Sequence, residues 1–224
     1  MKKIFSASAL LFLPLCSGIA SAQQASPLLK DSRDGQTYAT VQIGNQIWMA
    51  QNLNFKTAKS VCYSESRYGC VYTWADAMAL PERCNKESCA SQTEDRNHRG
   101  ICPEGWHVPS YNEWNQLVER LGGDKAAGKH LKSKTEWKNE NGIDTYGFNV
   151  LPTGGANEYQ EMGYGTTFWT ASELWEPGDT PAPNTAIYVN IGQYLLYENA
   201  NNLVVMDDLL YKDNIPAHIR CMKD

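Results

Sequence analysis

Between residues 37 and 53 the chain alternates apolar and polar positions on either side of a Gly44-Asn45 pair, reading TYATVQIGNQIWMAQNL. A period of two with a turn-forming pair at its middle predicts a β-hairpin. The period then changes in VYTWADAMAL, where Val71, Trp74, Ala75 and Met78 recur at helical spacing and predict a short amphipathic helix. The clearest helix opens at Ser110, because Ser110 and Glu113 form a Ser-x-x-Glu capping box and Trp114, Leu117, Val118 and Leu121 share one face. Gly122-Gly123 ends it, and Asp124 stands where it can cap a further helix running to about Ser133. From Tyr146 onward short strand-like runs take over: GFNVLP, TFWTAS, TAIYVNI, NLVVMD and AHIRCM, separated by Gly-, Pro- and Asn-rich turns. A hairpin, then two to three short helices, then a C-terminal set of short antiparallel strands describes a single α+β domain.

The ends of the pattern differ from its middle. MKKIFSASALLFLPLCSGIASA, residues 1–22, carries two lysines, an apolar core from Ile4 to Leu15 and Ala20-Ser21-Ala22, the layout of a cleaved secretory signal peptide. Leu15 is bulky where a lipoprotein signal takes a small residue before its cysteine, so cleavage after Ala22 is expected over lipidation at Cys16. No later run approaches the roughly 20 apolar residues of a spanning helix, so no transmembrane segment is expected. Residues 23–36 are polar and aperiodic and are expected to be a flexible lead-in, with the domain occupying 37–224. The segment 82–99, ERCNKESCASQTEDRNHR, offers almost nothing to bury and reads as a surface insertion. These features place the protein outside the cytoplasm, as a secreted, periplasmic or cell-surface domain.

Charge and cysteines narrow the function classes. The chain has 20 Lys+Arg and 25 Asp+Glu, and without Lys2 and Lys3 the balance becomes 18 against 25, a net charge of -7. A mildly acidic chain without a basic run is a poor nucleic-acid binder. Beyond Cys16 six cysteines remain, and an even number in an exported chain argues for disulfides. Cys62 with Cys70 and Cys84 with Cys89 each close a short polar loop, which leaves Cys102 to reach Cys221. That last bridge would tie the end of the domain to its middle.

Catalytic signatures are scarce. His98, His107, His130 and His218 are scattered, and neither a CxxC pair nor HExxH, GxSxG, a P-loop or a dinucleotide glycine pattern occurs. No metal and no cofactor are therefore expected, and paired cysteines leave no thiolate nucleophile. His107, in GWHVPS, fits a general base less well than a strand residue satisfying a backbone group. Trp106 and Trp114 read as core. Aromatic side chains on loops are better candidates for ligand contact: Trp175 in SELWEPGDTPAPN, and Tyr159 and Tyr164 in NEYQEMGYG. Such rings stack on the apolar faces of sugars.

Six blocks in order carry a family resemblance: DGQTYATVQIGNQIWMAQNLN, CYSESRYGCVYTWADAM, GICPEGWHVPSYNEWNQL, YGFNVLPTGG, TFWTASE and HIRCMKD. From about Asp31 to Asp224 they resemble the major paralogous domain of Fibrobacter succinogenes. The resemblance implies an exported bacterial domain found on surface or secreted proteins, with adhesion or carbohydrate contact suspected and no established activity. WHVPSYNEW and YGFNVLPTGG are also distantly similar to the sulfatase-modifying-factor and C-type-lectin-like group, in which a Leu/Val-Pro-Ser/Thr-x-x-Glu-Trp run opens a helix. That similarity implies a C-type-lectin-like fold. The lectins' calcium triplets are missing, and Glu176-Pro177-Gly178-Asp179 only echoes them. The copper-binding cysteine pair of the formylglycine-generating oxidases has no counterpart, since Cys221 stands alone. The expectation is a non-enzymatic domain that binds a glycan or another envelope protein. The alternatives are an enzyme on a sulfatase-modifying-factor-type scaffold and a structural spacer or assembly module.

Overall fold

The computed structural model describes residues 27–93, 97–154, 162–174, 182–192, 201–206, 209–213 and 216–224. The expected signal peptide lies outside them. The hairpin forms as the alternation predicts: β3 (Thr40–Ile43) and β4 (Gln46–Met49) pair from Ile43↔Gln46 to Thr40↔Met49. Gly44 turns the chain with φ +65°, a conformation that favours glycine, and the Arg120 guanidinium lies over it, 2.6 Å from where a Cβ would stand.

Two larger sheets take the strands from β3 onward. One has the order β3-β4-β13-β7, where β7 is Trp106–His107 and β13 is Met222–Lys223. The larger runs β10-β9-β8-β12-β6-β5, from Val204–Val205 through Thr185–Gly192, Gly165–Trp169, Ala217–His218 and Cys70–Tyr72 to Val61–Cys62. A further strand, β11 (Leu209–Tyr211), also pairs with β9. Every residue of β8 and β9 is buried, so these strands are covered on both faces and lack the alternation of a half-exposed strand. The C-terminal strands are not uniformly antiparallel: β12 lies parallel to β8, with His218 opposite Phe168. Thus the sequence-late strands β12 and β13 each sit inside a sheet between partners from earlier in the chain.

The helices are α1 (Trp74–Ala77), α2 (Tyr111–Arg120) and α3 (Asp124–Leu131). The first is a single turn, because Val71 belongs to β6 instead of to a longer helix. For α2 the capping box forms in full: Ser110 Oγ accepts from the Glu113 N–H at 3.3 Å, and Glu113 accepts from the Ser110 N–H at 2.8 Å. In α3 the cap is Gly123, and Asp124 is the first helical residue, where its charge meets the positive helix end.

Three further expectations change. Within the stretch read as a flexible lead-in, β1 (Leu29–Lys30) pairs with β2 (Thr37–Tyr38). Asp31 there is fully buried and paired with Arg33, an interaction that holds its carboxyl below the usual range against the opposing effect of burial. GFNVLP forms no strand and contributes one isolated bridge, Val150 with Lys132. The segment 82–99 buries Cys84, Asn85, Cys89, Ala90 and Thr93, so its polar composition conceals an anchored inner face.

The buried side chains form two clusters. One collects Cys70, Tyr72, Trp74, Cys84, Cys89, Cys102, Trp169 and Cys221. All three disulfides, Cys62–Cys70, Cys84–Cys89 and Cys102–Cys221, belong to this side. There the Trp169 indole donates to Tyr72 O at 2.9 Å and the Trp74 indole to Thr170 O at 3.0 Å, each satisfying a buried N–H. The other cluster joins Trp48, Trp114, Leu117, Leu131, Phe148 and Phe168, with Trp48 and Trp114 centroids 4.7 Å apart. Arg220 is buried within reach of both sides, donating to Asn52 Oδ1 at 2.6 Å and to Phe148 O, with its guanidinium over the Phe148 ring.

Candidate functional site

A cleft of about 1110 Å³ opens where the N-terminus of α2, the segment Ala171–Leu174, the residues Ala90, Thr93, Asn97 and His98, and the end of β13 converge. Sequence neighbours of the capping box build it. Ala171 N–H donates to Pro109 O at 2.9 Å and Tyr111 N–H to Ser172 Oγ at 3.1 Å, which fixes the 171–174 segment against the helix start.

On the helix side, Asn112, Asn115 and Gln116 recur at one-turn spacing on the polar face of α2 and line the cleft. Asn45 and Asn97 join them from across the opening. The side-chain amides of these five residues hydrogen-bond to none of the other described residues. Each therefore presents a free donor and a free acceptor.

The buried charges beside the cleft, by contrast, are paired, while Lys223 at its rim is exposed and bridges to no described residue. His107, 1 % exposed, hydrogen-bonds through Nδ1 to Asp224 Oδ1 at 2.8 Å and through Nε2 to Glu113 Oε1 at 3.1 Å. Burial opposes a charge on its ring, but the two carboxylates outweigh burial and raise its pKa. Glu113 is held low for the complementary reason: burial would raise it, while His107 and the Ser110 donors prevail. His107 thus bonds side-chain carboxylates, where the sequence suggested a backbone group, and it leaves neither ring nitrogen open to a substrate. On the opposite wall Glu173 and Lys212, both fully buried side chains, pair at 2.8 Å. Lys212 also donates to Glu87 O at 3.2 Å and Pro183 O at 3.1 Å, and burial lowers its pKa despite Glu173.

The residues singled out in the sequence scatter relative to this cleft. Ser110 and Glu113 line it, whereas Trp106 and Trp114 are core residues at 7 % and 0 % exposure. Tyr164 precedes β8, at the end of that strand opposite Ala171, and meets Lys138 Nζ at 4.9 Å from its ring centroid. Trp175 and Tyr159 lie outside the described residues, although Trp175 directly follows Leu174 of the cleft wall. The amide face of α2 and Glu173 went unnoticed in the sequence. Its signal was present: Asn112, Asn115 and Gln116 put amides where a solvated helix face usually carries charges.

Among the described residues, no group of three or more His, Cys, Asp and Glu side chains could hold a metal ion. Nor is any described helix long and apolar enough to cross a membrane. No curated protein and no solved structure matches the chain. A family's sequence profile does, across residues 41–223. The chain therefore belongs to the Fibrobacter succinogenes major domain family.

Proposed function

We propose that this is an exported, non-enzymatic binding domain whose cleft takes a neutral, polyhydroxylated ligand, a glycan of the cell surface or its surroundings. One observation carries the reading: five of the cleft's side-chain amides are unengaged while its buried charges are paired off. Amides present adjacent donors and acceptors, the complement of a sugar hydroxyl, and they do so without selecting for charge. The binding role without catalysis is supported by His107, whose two nitrogens are both occupied, and by six cysteines engaged in disulfides. Export is supported by the leader sequence and by those disulfides. We also read the fold as C-type-lectin-like, on the strength of the Val-Pro-Ser-x-x-Glu-Trp block that opens α2.

The test is a glycan array probed with the disulfide-intact protein and with an Asn115→Ala/Gln116→Ala variant, both residues lying on the exposed side of α2. The variant is expected to keep its fold and lose at least tenfold in binding. Equal binding by both proteins would remove the cleft as the ligand site. Titration of free thiols addresses the enzyme alternative, since a reactive thiol in the native protein would favour a sulfatase-modifying-type activity.

A further inference from the structure

Glu173 is 1 % exposed and borders the cleft. Its two carboxylate oxygens are used unequally. Oε1 accepts from the Cys89 N–H at 2.8 Å and from Lys212 Nζ at 2.8 Å, whereas Oε2 is buried without a partner among the described residues. A buried carboxylate oxygen left without a donor is costly, and a structure that keeps one calls for a donor from outside the chain, a water or a ligand. The surrounding structure does not let the side chain turn away. Oε1 is fixed by the backbone of the Cys84–Cys89 loop and by an ammonium that is itself held by two carbonyls.

We propose, building on the glycan reading of the cleft, that Glu173 is the ligand anchor, its Oε2 accepting a hydrogen bond from one hydroxyl of a neutral sugar ring. The Lys212 ammonium already balances the Glu173 charge, so a cationic group gains little there, and a neutral O–H satisfies the oxygen without adding net charge. Glu113 does not compete for this role, because His107 and Ser110 engage both its oxygens, and Asp224, bonded to His107 through Oδ1, is half exposed, so its other oxygen is met by solvent. The division of labour is then one buried, oriented acceptor that sets register and several exposed amides that follow it. This predicts a site that discriminates sharply at a single hydroxyl position and tolerates variation at the others.

The experiment measures binding of neutral methyl glycosides of glucose, galactose, xylose and N-acetylglucosamine, with the protonated amine glycoside of glucosamine as a charged comparison. For a glycoside that binds, a series lacking one hydroxyl at a time is run on wild type and on Glu173→Gln, which keeps Oε1 and turns Oε2 into an N–H donor. The expected result is a loss of at least tenfold for one deoxy position in wild type, and disappearance of that difference in Glu173→Gln. A deoxy series flat to within twofold in wild type overturns the anchor, and so does tighter binding of the amine. The wild-type series decides alone if Glu173→Gln does not fold. The Asn115→Ala/Gln116→Ala variant separates the two ideas: weakened binding with a flat series keeps the cleft and removes Glu173 as its anchor. Unchanged binding removes both, as does failure of every neutral glycoside to bind.

Discussion

The two halves of the core are held in different ways. Around Cys70, Trp74, Cys102 and Trp169 the chain consists of loops, 3-10 turns, one helical turn and strands of two or three residues alongside the longer β8 and β9, and every disulfide lies on this side. Around Trp48, Trp114 and Phe148 the two longer helices pack on the hairpin and β9, and no cysteine is present. Regular elements bury a continuous apolar face and satisfy their own backbone groups. Segments with little regular structure gain less from packing per residue ordered, and covalent closure lowers the entropy of the unfolded chain instead. The difference teaches where the molecule relies on oxidation and where it relies on close packing.

The comparison can be broken most forcefully at Cys102–Cys221, whose closure spans 119 residues. On chain-entropy grounds its replacement by two serines should cost about 4 to 5 kcal/mol in denaturant unfolding, against about 2 kcal/mol for the Cys84–Cys89 pair. Equal costs for the long and the short bridge would show that the bridges act mainly through the native state. In the packed half, Trp114→Ala should cost about 3 to 5 kcal/mol by leaving a large cavity. Trp114→Phe should cost much less, because the Trp114 indole N–H is buried without a partner among the described residues and its removal relieves that cost.

A pH titration of stability addresses the seam between the halves. His218 bonds Cys70 O on one side and lies 6.1 Å from the Phe168 centroid on the other. Burial, reinforced by Arg220 and opposed by Cys70 O, depresses its pKa from 6.5 to about 3. The folded state therefore refuses a proton that the unfolded chain accepts, so stability is complete above pH ~6.5 and falls as the pH drops toward 3, by roughly 4 to 5 kcal/mol. A His218→Gln variant should flatten that acid limb. His107 has the opposite sign: its raised pKa means that its ion pairs persist in acid and are lost as the pH rises through that pKa. The smallest expected effect is Ser110→Ala, about 1 kcal/mol for a lost cap, measured as a shift in the unfolding midpoint.

What could be read from the sequence was local. The Gly44-Asn45 hairpin and the Ser110 to Glu113 cap are interactions within a few residues, and the disulfides followed from loop length and elimination. What escaped was long-range. Val71 has helical spacing with Trp74 but is drawn into β6, where β12 supplies a partner more than 140 residues later. Asp31 looks solvated until Arg33, which also donates to Ile101 O, folds the segment back onto the domain. His107 met carboxylates from opposite directions, Glu113 six residues away and Asp224 at the far end of the chain, and only the sheet pairing of β7 with β13 brings the second within reach. Glu173 gave no signal at all, because an acidic residue beside a long polar loop is the commonest surface pattern and its buried partner, Lys212, lies on a separate strand connection.

The interior placement of β12 and β13 has a consequence for how the molecule is made. Both sheets are left with a gap between their inner strands until residues 217–223 have emerged from the ribosome, and Cys102 has no partner before Cys221 does. A partly synthesised chain can thus pair β3 with β4 and β8 through β11 among themselves, but it can complete neither sheet. Closure of the fold waits on delivery of the final strands to two slots.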